Sequence, residues 1–466
     1  MDRNSFGIRF VCAVALLCAT ASTLAAQDQP PPSQQPRGGP FSGLFKGSPK
    51  EQPHTLDVRA SAFGAYDDNL LAQTPGFGGS TASLLDSRNQ RRGISSGMDA
   101  SLRYGFRTSG TRSAFNIGGG ASVQQFGSQV LAGGLWIPSY SATTGFRTSL
   151  TTKTALLFGA DTSYGPYYQY LPFLKDTASE ESPVGADYGF AAQTQWVRSV
   201  GGSASIENRF SRKSMMSAGV NWQQHGIPSI SGSSIDSRGA HAGFSHNLTR
   251  KLAFHFGYGV QETSSPNSEP IRTNNLDVGL GYGDGITLTI GRHYILSLSA
   301  GVTVAKNGDA AAVLRTGKST AVAVTGGATL SRSIGRDWGV SIGYARGTSY
   351  VVGFAEPLMN DSANAGIGGP LGDRMQFSAG AGASRGQALF SENRNPIVSY
   401  SASTRLSYGL FKYLGLYAQA SYYRYSVPID YLTIGFVPDL DRRSASVGLS
   451  SWFPLIKHRR GSRDSG

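Results

Sequence analysis

Alternation of apolar residues with small or polar residues dominates this chain, and positions 414–423 show it clearly. The apolar set is Leu414, Leu416, Ala418, Ala420 and Tyr422. The intervening set is Gly415, Tyr417, Gln419, Ser421 and Tyr423. Side chains on a β-strand alternate with period two, so this segment predicts a strand with one apolar wall and one mostly small or polar wall. The same alternation in 399–411 and 441–453 predicts a hairpin followed by a further strand.

The pattern recurs from Thr55 to Phe453, with clear examples at 252–260 and 294–304. No 3.6-residue period extends over a useful length, so almost no helix is predicted. A soluble sandwich, with its apolar walls turned to a core, would show similar strands. The repetition, combined with the export signal described below, favours an all-β transmembrane up-and-down antiparallel β-barrel. In such a barrel the apolar wall faces lipid and the polar wall faces a water-filled lumen.

Short and long connections alternate along the predicted barrel. The short ones include 150–153, 211–213, 249–251 and 291–292, and the long ones, rich in Gly, Ser, Pro and Asn, include 165–186, 263–271 and 428–440. Outer-membrane barrels have short periplasmic turns and longer external loops, and bacterial ones have an even strand number. Counting predicts about 18 strands. The segment 187–210 is long for one strand, which keeps 16 strands as the alternative.

The barrel occupies only part of the predicted domain organisation. Residues 1–26 read as a signal peptide, with basic Arg3 and Arg9, an apolar run and small residues before a cleavage zone. Both cysteines, Cys12 and Cys18, lie inside it, so the cleaved chain has none. Residues 27–54 predict a Pro/Gly-rich periplasmic linker, 55–453 the outer-membrane barrel and 454–466 a basic C-terminal tail.

Composition is compatible with a barrel whose strands have one wet face. Charged residues make up 15% of the chain, glycines number 61, and the mean hydropathy is −0.21. No apolar run after the signal is long enough for a membrane helix. The net charge of +13 does not indicate nucleic acid in an exported barrel. Exposed basic residues predict contact with lipopolysaccharide instead, alongside outer-membrane lipid.

Several charged residues fall on the polar wall and are predicted to line the pore. They are Arg59, Arg103, Arg107, Arg147, Arg209, Arg374, Arg405 and Asp99. Rings of charge tune ion selectivity, so one interpretation is a mildly anion-favouring water channel. The alternative is that arginines and acids pair across neighbouring strands and brace the wall. Both interpretations stay open.

Tyrosines cluster near strand ends. Tyr164, Tyr422, Tyr423 and Tyr425 predict an interfacial girdle, because Tyr and Trp prefer the boundary between apolar and wet regions. Tyr167, Tyr168 and Tyr170 in the loop 165–186 are candidates for contact with a carbohydrate, or for a lid folded into the pore.

The sequence gives little indication of an enzyme. His241 and His255 share the lumen parity whereas His246 faces lipid, and no catalytic, cofactor or metal motif sits in a supporting context.

The last predicted strand, 441–453, resembles the C-terminal targeting strand of bacterial outer-membrane barrels, because its apolar positions alternate and end on Phe453. It differs in being followed by a basic tail. More broadly, 55–453 is similar to Gram-negative porin-like barrels, some of which are associated with exopolysaccharide secretion. The resemblance implies insertion by the barrel-assembly machinery and location in the outer membrane, and it leaves the oligomeric state open.

Three functions are compatible with this resemblance. The first is passive passage of small hydrophilic solutes through an aqueous pore. The second is export of an exopolysaccharide, with polysaccharide as a partner. The third is a plugged structural or adhesive barrel.

Overall fold

The computed structural model describes fourteen stretches of the chain. They are residues 54–68, 93–108, 112–126, 135–166, 196–226, 234–249, 252–265, 268–281, 294–307, 319–335, 337–349, 357–390, 395–426 and 439–456.

These stretches form eighteen strands and, within the described residues, no helix. In chain order the strands are β1 His54–Asp67, β2 Gly93–Arg107, β3 Ser113–Phe126, β4 Leu135–Ser149, β5 Thr154–Pro166, β6 Trp196–Arg209, β7 Ser214–Gly226, β8 Ile235–Asn247, β9 Ala253–Ser265, β10 Ser268–Gly281, β11 Tyr294–Asn307, β12 Thr320–Ile334, β13 Trp338–Ser349, β14 Leu358–Pro370, β15 Met375–Ala388, β16 Ile397–Phe411, β17 Leu414–Ser426 and β18 Asp439–Pro454. In the part of the chain that is described, no helix is long and apolar enough to cross a membrane.

Each strand pairs antiparallel with its neighbours in the chain, and β1 also pairs with β18. The closing register runs from Asp57 opposite Pro454 to Asp67 opposite Ser444. Backbone hydrogen bonds extend this pairing at both ends. Asp68 N–H donates to the carbonyl oxygen of Arg443 (3.1 Å), and Leu455 N–H donates to that of Leu56 (2.7 Å). The sheet therefore has no free edge. The predicted up-and-down barrel is confirmed, with 18 strands rather than 16.

Short turns lie at the end of the barrel where β1 begins and β18 ends, which we call the turn end. Three of them share one device, in which a hydroxyl caps the turn backbone. Thr151 Oγ1 accepts hydrogen bonds from the backbone N–H of Lys153 (3.1 Å) and Thr154 (3.0 Å). Ser211 Oγ accepts in the same way from the backbone N–H of Lys213 and Ser214, and Thr249 Oγ1 from that of Leu252. Short turns are periplasmic in bacterial barrels, so the turn end faces the periplasm and the opposite, loop end faces outward.

One predicted connection changes. The predicted long loop 263–271 is wrong, because β9 continues to Ser265 and β10 already begins at Ser268. The alternating segment 286–290 and the predicted turn 291–292 lie outside the described residues. The long segment 187–210 contributes one described strand, β6, and this single strand keeps the count even.

The outer wall of the barrel is apolar and exposed. Its middle zone carries Leu102, Val220, Val278, Leu298, Val324, Ile342 and Val447. Exposed tyrosines flank this zone toward the loop end, at Tyr66, Tyr140, Tyr164 and Tyr400. Exposed phenylalanines flank it toward the turn end, at Phe146, Phe210, Phe244, Phe411 and Phe453. An apolar band between two aromatic girdles is the surface that a bilayer covers, so the chain is a barrel of the outer membrane.

Candidate functional site on the lumen wall

The inner wall of the barrel is the candidate site, and strand parity assigns residues to it. On β2 the exposed Met98 and Leu102 face outward, which turns Asp99 and Arg103 inward. The same parity places seven of the eight predicted pore residues on the inner side: Arg59, Asp99, Arg103, Arg107, Arg147, Arg209 and Arg405. Arg374 lies in the exposed turn between β14 and β15, at the rim rather than on the wall.

The inner wall differs between its two ends, and β12 shows the difference. Near the loop end, the inward Ala321 and Ala323 are buried. Near the turn end, the inward Thr329 and Ser333 are exposed. We divide the lumen wall of every strand at the height that lies between Ala323 and Thr329 on β12. The part toward the loop end is the loop half, and the part toward the turn end is the turn half.

Four of the predicted arginines are exposed in the turn half. They are Arg103, Arg107, Arg147 and Arg209. Of these, Arg147 reaches across β5 to Glu207 on β6, where its Nη2 donates to Oε2 at 3.0 Å. The ion pair is partly exposed on both sides, so it leaves both groups in contact with water. The turn half is therefore a wet, arginine-rich vestibule.

One acid in the turn half is shared by two of the arginines. Asp57 on β1 stands directly opposite Arg103 on β2, and Arg59 is close enough to act on the same carboxylate. The indole of Trp452 on β18 also donates a hydrogen bond to Asp57. Neither Asp57 nor Trp452 is among the predicted pore residues, although the parity of β1 puts Asp57 on the same wall as Arg59.

A second cluster lies at mid-height, where Arg405 on β16 stacks on Tyr417 of β17. The guanidinium carbon is 4.2 Å from the ring centroid, and Tyr417 is only 1% exposed. Gly448 on β18 lies beneath the ring, where a Cβ would come within 2.7 Å of its carbon and oxygen atoms. The glycine therefore lets the tyrosine lie flat against the wall.

Arg405 also acts electrostatically on Asp99 of β2, which accepts a short hydrogen bond from the Ser61 hydroxyl. This part of the wall thus combines a cation, an aromatic ring and an acid held by a neighbouring strand. A cation stacked on a buried ring loses conformational freedom, so Arg405 serves the wall as a brace as well as a charge.

An acid and a histidine elsewhere on the inner wall lie over glycines. Asp277 on β10 lies across Gly257, and His255 on β9 lies across Gly279, with His255 Nε2 3.8 Å from Asp277 Oδ2. His246 faces outward and pairs with the Ser214 hydroxyl at 2.9 Å. Within the described residues, no group of three His, Cys, Asp or Glu side chains could hold a metal ion.

The loop half is closed in part by a side chain from beyond the end of β15. Phe390 is fully buried against Ile271, Ala305 and Ala321, which are inward residues of β10, β11 and β12. Strands β13 and β14 separate β15 from β12 in the sheet. Phe390 therefore extends across the loop end of the lumen and does not stay above its own strand. The backbone N–H of the preceding residue, Leu389, donates to the carbonyl oxygen of Pro357 (3.0 Å).

A buried ion pair also lies in the loop half, at the seam between the first and last strands. Arg442 on β18 and Asp67 on β1 are each 3% exposed. Arg442 Nε donates to Asp67 Oδ2 at 2.7 Å, and Nη2 of the same guanidinium contacts the same oxygen. The partners are 375 positions apart in the chain. Only the closing register of the barrel brings them together.

The predicted tyrosine girdle is corrected at two positions. Tyr423 and Tyr425 point inward and are buried, whereas Tyr422 and Tyr164 are on the outer wall. Tyr164 stacks on Trp196 with ring centroids 5.3 Å apart, at the loop-end rim. The candidate carbohydrate contacts Tyr167, Tyr168 and Tyr170 lie outside the described residues.

Comparison with solved structures finds barrels of low identity to this chain. OpdQ of Pseudomonas aeruginosa shares 14% identity over 87% of this chain and 100% of its own, with a TM-score of 0.44. OccK2 (OpdF) of the same organism, solved in complex with glucuronate, shares 11% over 86% and 98%, with a TM-score of 0.46. OccAB4 of Acinetobacter baumannii shares 10% over 87% and 99%, with a TM-score of 0.43. No family model and no curated protein matches the chain.

Proposed function

We propose that this barrel is a channel through which small hydrophilic solutes cross the outer membrane passively. The observation that carries the proposal is the closed 18-strand sheet with exposed polar and charged side chains on the inner wall of its turn half. Barrels of 16–18 strands are wide enough to leave an aqueous channel. Charged side chains that remain exposed inside such a barrel need water around them, and that water supplies the path for solutes.

The charges of the turn half favour anions. Four exposed arginines line it; among the described residues one of them, Arg147, forms a close ion pair with an acid, Glu207, and Arg103 lies opposite Asp57. Fixed positive charge in a low-dielectric tube raises the local concentration of anions and lowers that of cations. We therefore expect small anionic solutes to pass more readily than cations of equal size.

The loop half favours small solutes over a polymer. Its inner wall is buried on several strands, and Phe390 crosses toward β10–β12. An exported polysaccharide chain needs a continuous wide path along the whole axis. Narrowing at the loop end therefore supports passage of small solutes in preference to polysaccharide export.

Current through single barrels in a planar bilayer tests this proposal. The full mature chain, refolded and inserted, should give steady conductance with a reversal potential displaced toward that of the anion. The displacement should shrink when salt rises from about 0.1 M to about 1 M, because the Debye length falls from about 10 Å to about 3 Å. Inserted barrels that never conduct would overturn the channel, and conductance with a cation preference would overturn the role given to the arginines.

A further inference from the structure

Two basic residues stand side by side on the outer wall, just beyond the apolar band at the loop end. Arg272 on β10 is directly opposite Lys306 on β11, and both are exposed. Their parity is that of the exposed outer-wall residues Leu276 and Val302, so both side chains point away from the lumen. Residues directly opposite on adjacent strands have Cβ atoms about 4.5–5.5 Å apart. Two positive charges therefore share one small area of the outer surface.

This pair differs from three other outward cations of the same rim, each of which lies beside an acid on its own strand or a neighbouring one. Arg238 has its Nε 3.3 Å from Asp236, Arg346 has Nη1 3.3 Å from Asp361, and Arg443 has Nε 4.0 Å from Asp441. Over the described part of the chain, by contrast, neither Arg272 nor Lys306 takes part in an ion pair.

The acid directly opposite Arg272 offsets at most one of the two positive charges. Glu262 on β9 is opposite Arg272, but it too is exposed and forms no ion pair within the described residues. Like charges directly opposite each other on a sheet are destabilising. An anion lying between Arg272 and Lys306 would turn that repulsion into two attractions.

The height of the pair on the barrel indicates which anion is available. Arg272 is four positions from Leu276, a distance of roughly 13 Å along a strand. Between them, the Tyr258 hydroxyl donates to Asn274 Oδ1 (3.1 Å), a polar contact of the kind found where an apolar band meets the wet interface. Arg272 and Lys306 therefore stand at the level of lipid head groups in the outer leaflet.

We propose that Arg272 and Lys306 form a binding site for the phosphate groups of lipopolysaccharide. Arginine holds a phosphate through two parallel hydrogen bonds, and lysine adds a point charge. The site lies on the outside of the barrel, so it is independent of whether the lumen conducts. It depends only on the loop end facing the outer leaflet.

The experiment measures binding of purified lipopolysaccharide to the full mature chain in detergent micelles, for wild type and for the double variant Arg272→Gln/Lys306→Gln. Each basic residue near an anionic lipid surface is worth roughly fivefold in affinity, so the double variant should bind about 30-fold more weakly. Lipopolysaccharide from which the phosphates have been removed should bind wild type about as weakly as intact lipid binds the double variant.

Two control variants separate the site from general charge. Arg346→Gln removes a rim cation that Asp361 already neutralises, and it should change affinity little. Arg212→Gln/Lys213→Gln removes the same charge as the double variant but from an exposed turn at the other end, and it should also change affinity little.

Thermal unfolding provides a second readout that depends on the lipid. Without lipopolysaccharide the double variant should be about as stable as wild type, because it loses the repulsion between Arg272 and Lys306 together with the attraction between Arg272 and Glu262. With lipopolysaccharide present, wild type should gain more stability than the variant, because a ligand stabilises the state that binds it. Equal binding of intact and dephosphorylated lipid, unchanged affinity in the double variant, or an equal loss in the turn-end variant would overturn the site.

Discussion

In the loop half of the lumen many inward side chains are buried, whereas the turn half carries four exposed inward arginines. The two halves belong to the same strands and follow the same alternation. On β12, for example, Ala323 is 9% exposed while Thr329, six positions further and on the same inner wall, is exposed. Alternation therefore decides which wall a residue belongs to, and contacts beyond the strand decide whether that wall meets water.

The two halves also use charge differently. The Arg442–Asp67 pair in the loop half is buried, so it stabilises the contact between β1 and β18 that closes the barrel. The Arg147–Glu207 pair in the turn half is partly exposed, so it mainly affects the electrostatic potential inside the lumen. A buried ion pair is costly to break because one partner remains buried and uncompensated, whereas an exposed pair contributes little to stability.

The largest expected effect follows from that contrast. Arg442→Gln should lower the free energy of unfolding by about 3–5 kcal/mol, because Asp67 stays buried without its cation. Arg147→Gln, the matched variant in the turn half, should cost about 0.2–1 kcal/mol. Urea unfolding of the refolded barrel in detergent measures both values. Similar losses for the two variants would mean that the halves do not differ in burial as described.

Removing the side chain that narrows the loop half should have the next largest effect. Phe390→Ala should cost about 3 kcal/mol, at the low end for a buried phenylalanine because the mouth of the barrel can relax. It should also raise single-channel conductance. Phe390→Leu, which keeps an apolar side chain on Ile271 and Ala305, should leave the conductance nearly unchanged. A conductance that Phe390→Ala does not alter would place the narrowest part of the path elsewhere.

The two halves differ on the inner wall only, because the outer wall is apolar in both. Leu298, 45% exposed on the outer wall of β11, should not tolerate a charge. Leu298→Arg should cost about 2–4 kcal/mol at the bilayer midplane. Ser297, whose hydroxyl bonds to that of Thr329 (2.7 Å) on the inner wall, provides the control, and Ser297→Arg should be mild. Equal damage from the two variants in a refolding assay would contradict the assigned parity.

The smallest effect should appear in selectivity. Arg103→Gln removes an exposed charge from the turn half, so the reversal potential should move toward zero, the value for a non-selective pore. The free energy of unfolding should change little. Arg405→Gln removes a cation stacked on the buried Tyr417, so stability should fall more than selectivity changes. Reversal potentials and unfolding curves of the two variants separate these outcomes. The opposite assignment would show that Arg405 is the selectivity residue and Arg103 a structural one.

Much of the barrel could be predicted from the sequence because alternation is a local signal. Strand parity, the short turns and the count of 18 follow from it, and β6 needed no second strand to keep the count even. The tight β9–β10 connection was missed because its Ser- and Pro-rich residues resemble a long loop. Tyr423 and Tyr425 were assigned to a girdle by residue type, although the parity of Tyr422 already turns them inward.

The site was less predictable, because its contacts join distant strands. The Arg442–Asp67 pair depends on the register between β1 and β18, which no local pattern encodes. Phe390 stands in a polar, Asn-containing connection, and nothing in that stretch indicates that it reaches β10–β12. Division of the lumen into a buried and an exposed half likewise depends on contacts between elements far apart in the chain.

Reaction of single cysteines with a charged, water-soluble thiol reagent tests the two-halved channel most directly. The predicted mature chain contains no cysteine, so Thr329→Cys and Ala323→Cys each introduce one reporter on the inner wall of β12. With current recorded through single barrels, the reagent should react rapidly with the Thr329→Cys variant and step the conductance down. The Ala323→Cys variant should react far more slowly. Equal reaction at both positions, or a Thr329→Cys variant that neither conducts nor reacts, would contradict a water-filled turn half beneath a buried loop half.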